Sequence, residues 1–114
     1  MDMENCPNRD IKITRGTTPT ITYSFRVVDP ADFAAAQFIM KQGSAVLIEK
    51  NLSDAVLDST NNTLSFTLTQ ADTLQLEPRT IIYMKLRFRQ NDGKAGASRT
   101  ISVAPDQILK EGEI

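Results

Sequence analysis

Between Ile82 and Arg89 the chain alternates without a fault, with Ile82, Met84, Leu86 and Phe88 on one side and Tyr83, Lys85, Arg87 and Arg89 on the other. Successive side chains of a strand point to opposite faces, so this run predicts a strand with one dry face and one wet face. Asn91, Asp92 and Gly93 follow, residues that tolerate the positive φ of a tight turn, and a second alternating run extends through Val103. The segment therefore predicts a β-hairpin. With the turn at Asp92 and Gly93, residues Ala97, Ile101 and Val103 stand opposite Phe88, Met84 and Ile82, and Arg99 falls opposite Leu86 on the dry face. An inward arginine must be paired, lie at the rim of the core, or be turned outward by an irregularity. The expectation is a rim position or an irregularity, such as a bulge at Gly96, that turns it outward.

The same reading extends along the chain. Ile21, Tyr23, Phe25 and Val27 share one face of a strand over 20–28, which Asp29 and Pro30 end because proline has no amide donor. Ala31 to Ala35 reads as a single helical turn started by Asp29. Phe38 and Met40 oppose Gln37, Ile39 and Lys41, then Gln42, Gly43 and Ser44 supply turn chemistry. In the partner arm, Ala45, Val46, Leu47 and Ile48 are apolar on both faces, so periodicity cannot choose the buried side and something is expected to cover the second one. Leu52 to Leu57 is weakly extended, and the turn from Asp58 to Asn62 leads into Leu64, Phe66 and Leu68. Thr69 and Asp72 have the spacing of a helix start, so Thr69 to Leu74 reads as a short helical connection closed by Pro78. Pro105 to Gly112 is one helical turn or an extended tail, whose Ile108 and Leu109 need burial somewhere.

Seven or eight short strands with one-turn helices at the connections fit an all-β, two-sheet antiparallel sandwich, with a small barrel as the alternative. At 114 residues the chain is the size of one domain. The reading divides it into a leader over 1–9 and a single sandwich over 10–114. Thirteen basic residues nearly balance fourteen acidic ones, and the net charge of −1 provides no global field for nucleic acid or an anionic membrane. No apolar run reaches the length of a signal peptide or a spanning helix, so the expected place of synthesis is the cytoplasm.

Chemistry is sparsely signalled. Histidine is absent, which removes the commonest general base and metal ligand. The one cysteine, Cys6, lies in the leader and reads as a passenger thiol. Asp54, Asp58 and Asp92 read as turn residues, not as a cation site. The expectation is no enzyme, no catalytic residue, no metal and no cofactor. The surfaces that remain for recognition are the basic strand face of Tyr83, Lys85, Arg87 and Arg89, the doubly apolar arm with Ala45 and Leu47, and the tail with Ile108 and Leu109. Single-stranded nucleic acid would want several aromatics among those cations, and only Tyr83 is there.

Several segments, taken in order, carry a resemblance. They are Arg15-Gly16-Thr17-Thr18-Pro19-Thr20, the run from Leu64 through Thr69-Gln70-Ala71-Asp72 to Leu74, Asp92-Gly93 before Ala97-Ser98, and the ending Ile108-Leu109-Lys110-Glu111-Gly112. From about Ile11 onward the chain resembles a family of short phage and prophage proteins of Gram-positive bacteria, which look like free-standing relatives of the N-terminal domain of the siphophage upper baseplate protein. The resemblance implies an immunoglobulin-like sandwich serving as a structural part of a tail tip or baseplate. Such a module attaches to itself, as a homo-oligomer, or to neighbouring virion proteins, and brings no catalytic residue with it. The alternative from a different class is a soluble module that binds a carbohydrate or a protein.

Overall fold

The computed structural model describes residues 13–108 and 110–114. The leader with Cys6, the residues 10–12 that follow it, and Leu109 lie outside the described residues. Strands β1 (Thr20–Ser24), β5 (Thr63–Thr67) and β4 (Ala55–Asp58) form one sheet in that order. Strands β3 (Ala45–Asn51), β2 (Phe33–Gln42), β6 (Ile82–Gln90) and β7 (Ala95–Ala97) form the other, with β8 (Ile101–Val103) continuing beside β6. All these pairings are antiparallel. The order matches the B-E-D and C′-C-F-G sheets of immunoglobulin domains, so the protein is an immunoglobulin-like β-sandwich. Thr14 and Asp106 add an isolated parallel bridge at the rim.

The dry faces meet in one core. Tyr23, Phe38 and Phe66 occupy its centre, Phe38 stacked on Phe66 at 5.0 Å between ring centroids and edge-on to Tyr23 at 6.1 Å. Phe25, Phe33 and Phe88 make a second aromatic group toward one end, with Phe33 and Phe88 stacked at 4.4 Å. Burying each such side chain contributes on the order of 1.5–3 kcal/mol, and here aromatics supply the packing between sheets. Met84, Leu86 and Ile82 line the floor beneath them, as the alternation predicts.

The hairpin follows the expected register only in part. Ile82 and Met84 do face Val103 and Ile101. Nearer the turn, however, Phe88 faces Gly96 and Arg87 faces Ala97, so Ala97 is one place away from the expected position. The cause is a three-residue turn. Gln90 N donates to Lys94 O at 2.8 Å and Gly93 N to Gln90 O at 2.9 Å, with Gly93 at φ 91°. An extra residue between Ala97 and Ile101 then restores the register, and Arg99 is turned out to solvent there, not at Gly96. Ser98 mends the interrupted ladder. Its N–H donates to Leu86 O at 2.8 Å and its hydroxyl accepts from Leu86 N at 2.9 Å, so neither main-chain group is orphaned. Gly96 has a separate role, since a Cβ there would stand 2.6 Å from Phe88 Cζ.

Other expectations are adjusted by local geometry. Val27 is 73% exposed, because β1 ends at Ser24 and the bends that follow carry the chain toward the other sheet; Val28 packs inward instead. The helical turn over Ala31 to Ala35 is shorter than expected. It is a 3-10 turn at Pro30–Asp32, capped where Asp29 accepts from Ala31 N, and Phe33 already begins β2. Leu52–Asp54 is likewise a 3-10 turn before β4. The connection after β5 is as read: helix α1 (Gln70–Leu74) opens with Thr69 Oγ1 accepting from Asp72 N at 3.0 Å and Asp72 Oδ2 accepting from Thr69 N at 2.9 Å. Past Asp106 the described residues form no helix or strand.

Candidate protein-interaction face

The outward face of the five-stranded sheet is assembled by pairing β2 against β6. Their register sets Lys41 beside Tyr83, Ile39 beside Lys85, Gln37 beside Arg87 and Ala35 beside Arg89. On the far side of β2, Val46 neighbours Lys41, Glu49 neighbours Ile39, and Asn51 neighbours Gln37. The apolar run in β3 is explained by a register shift between Met40 and Lys41. Ile48 faces the core, Leu47 is half-buried and packs against it, and Val46 turns to the outer face at 53% exposure.

Two adjoining hollows mark this face. One, of about 420 Å³, has Ala35, Ala95 and Gly96 as its floor with Arg87 and Arg89 at its wall. The other, of about 400 Å³, lies over Ile39, Val46, Tyr83 and Thr100 with Lys41 and Lys85 beside it. Gln37 and Arg87 line both. They form the ridge between them, Arg87 Nη2 donating to Gln37 Oε1 at 3.3 Å while Gln37 Nε2 donates to Glu49 Oε2 at 3.2 Å. Lys85 and Arg89 have no ion-pair partner among the described residues.

The charge on this face is lopsided. Lys41, Lys85, Arg87 and Arg89 stand against the single carboxylate of Glu49. Since the whole chain is at −1, the remainder is clearly acidic. Beside the cations, Tyr83 is 41% exposed and is the one exposed aromatic among the described residues; the other six aromatic rings are buried.

The residues singled out from sequence divide accordingly. Tyr83, Lys85, Arg87 and Arg89 share the outer face. Ala45 is exposed at the end of β3 opposite Gln42, away from the hollows, and Leu47 points the other way into the core. Ile108 is half-buried over the first turn, since a Cβ at Gly16 would lie 3.5 Å from its Cδ1 and 3.6 Å from Leu74 Cδ2, so its apolar surface is partly satisfied within the chain. Local reading left out Lys41, Val46, Gln37 and Ile39 as partners of the basic strand. Ile39 and Lys41 already alternate outward in the sequence, but only the β2–β6 pairing puts them beside Tyr83 and Lys85.

The frame behind this face is pinned by polar brackets. Buried Gln42 donates from Nε2 to Glu77 O and Thr80 O, both at 2.9 Å, and accepts from Glu77 N at 2.8 Å, fixing the loop that leads into β6. Lys50 Nζ meets Asp72 Oδ2 at 2.9 Å and ties β3 to α1. Burial pulls the Asp72 carboxyl upward, but the Thr69 amide and Lys50 outweigh it and hold its pKa below the ordinary value. Arg15 grips the tail, donating from Nη1 to Glu111 Oε2 at 2.6 Å and from Nη2 to Leu74 O at 2.9 Å. That hydrogen bond lowers the Glu111 pKa. Asp58 and Asp92 serve their turns, accepting from Thr60 N and Lys94 N, as read from sequence. Among the described residues no three His, Cys, Asp or Glu side chains gather as a metal cluster would. No helix of the described chain is long and apolar enough to cross a membrane.

The fold and this face define a class: an immunoglobulin-like sandwich with a mixed cationic and apolar outer sheet. Comparison with protein-family models and with curated proteins finds no match to the chain.

Proposed function

We propose that the protein is a non-enzymatic assembly module that works through protein–protein contacts, and that its setting is the tail tip or baseplate of a phage or prophage. The observation that carries the first part is the outer face of the five-stranded sheet. Exposed Val46 and Tyr83 sit beside cations that have no ion-pair partners among the described residues, a composition suited to the core and rim of a protein interface. The setting rests on the resemblance of the segments from Arg15 to Gly112 to short phage structural proteins. A carbohydrate site would call for an aromatic platform, and Tyr83 stands alone on this surface.

The test pairs genomic context with solution mass. Tail or baseplate genes flanking the coding sequence support the setting, and a metabolic operon contradicts it. Light scattering over a concentration series separates self-attachment, in which the mass rises with concentration, from attachment to another virion protein, in which it stays that of one chain of 12.7 kDa.

A further inference from the structure

The geometry points to an acidic, extended polypeptide segment of another protein as the occupant of the outer five-stranded face, seated with an apolar side chain over Ile39, Val46 and Tyr83 and carboxylates beside Lys85, Arg87 and Arg89. This rests on the assembly reading and specifies its partner. The first support is charge complementarity. Four cations face one carboxylate on this surface while the rest of the chain is acidic, so the face repels cationic partners and attracts anionic ones.

The second support is spacing. Lys85, Arg87 and Arg89 occur at alternate positions of β6, and side chains on one face of a strand repeat every two residues, about 6.6 Å. An extended segment lying along β6 with acids at alternate positions presents carboxylates at that same repeat. Blocks of consecutive acids point half of theirs away. The third support is room. The small side chains of Ala35 and Ala95, paired on either side of Arg89, leave the hollow beside Arg87 and Arg89 open to an incoming carboxylate, and the apolar hollow adjoins it across the Gln37–Arg87 ridge.

The probes are dye-labelled synthetic peptides of one composition, Leu-Thr-Glu-Thr-Glu-Thr-Glu and its block isomer Leu-Thr-Thr-Thr-Glu-Glu-Glu, each also in reversed order, with oligo-dT as a second polyanion. Binding is read by fluorescence anisotropy at low and moderate salt. One alternating peptide should bind at least about tenfold tighter than its block isomer, weaken as salt screens the face, and lose about tenfold or more in K85E/R87E. K85Q/R87Q keeps the test open should the charge reversal disturb folding, and thermal unfolding checks both variants.

Equal binding of the isomers, unchanged binding in folded variants, or tighter binding of oligo-dT overturns the inference. If no peptide binds but K85E/R87E abolishes a concentration-dependent rise in mass, the occupant is a second copy, which overturns this inference and leaves the assembly reading standing.

Discussion

The two outer faces of the sandwich are built by the same alternation and differ in their polar chemistry, hydroxyls on one and cations on the other. On the three-stranded sheet, Thr20 and Thr67 share a hydrogen bond at 2.9 Å, as do Thr22 and Ser65, so the hydroxyls on that surface satisfy one another across the strands. On the five-stranded sheet, Lys85 and Arg89 find no such partner among the described residues, and Tyr83 and Val46 stay exposed. Both faces leave apolar area exposed, Val56 at 67% beside Ser65 on one and Val46 at 53% on the other, so what separates them is the unpaired cationic charge of the five-stranded sheet. The lesson is that the inner faces determine the fold while the outer faces, free of packing demands, carry what distinguishes one sandwich from another.

This contrast can be broken or sharpened by substitution. The largest effect should come from the shared core. Phe38→Ala removes the ring between Tyr23 and Phe66 and should cost about 3–5 kcal/mol in urea unfolding. Gly96→Ala, on the floor of the basic hollow, should cost about 1–3 kcal/mol because its Cβ meets Phe88, which is already stacked on Phe33. Ser98→Ala should fall in a similar range of about 1–3 kcal/mol, since it leaves the buried Leu86 N–H without its acceptor. By contrast, Lys85→Ala and Arg87→Ala should change stability by no more than about 0.5 kcal/mol, as befits exposed side chains outside the packing. A large loss there would make the basic face structural and erase the comparison.

Acid provides a smaller effect with a definite sign. Asp72 and Glu111 have pKa values in the folded protein below their ordinary ones, so the folded state binds fewer protons than the unfolded state as acid is added. Their stabilisation is fully present above the ordinary carboxylate range of about 4 and is lost as pH falls through the lower folded values. Urea midpoints followed downward from pH 6 should therefore decline, and Asp72→Asn should flatten part of that decline.

Much of the frame was legible in local pattern. The alternations over 20–28, 37–41, 64–68 and 82–89 correspond to strands Thr20–Ser24, Phe33–Gln42, Thr63–Thr67 and Ile82–Gln90, with the expected faces up to Phe25 in the first, and the Thr69–Asp72 box opened α1 as its spacing predicts. The misses share a cause. Val27, Leu47 and Ala97 all lie where a strand ends early or a register shifts, and an added residue moves every later side chain to the other face without leaving a local signature. The candidate face was half legible for a different reason. Tyr83, Lys85, Arg87 and Arg89 announce themselves as one strand face, whereas their neighbours Ile39, Lys41 and Val46 depend on which strands become adjacent, a long-range choice made by the core.

On the assembly proposal, the outer face of the five-stranded sheet, and not the hydroxyl face, receives the partner. Amide chemical shifts of the 15N-labelled protein, followed during titration with the alternating acidic peptide, test it most directly. Shifts should be confined to Gln37–Lys41, Val46 and Tyr83–Arg89, with β1 and β5 unmoved. Shifts centred on Thr20–Ser24 and Thr63–Thr67, or spread evenly over both sheets, would contradict it.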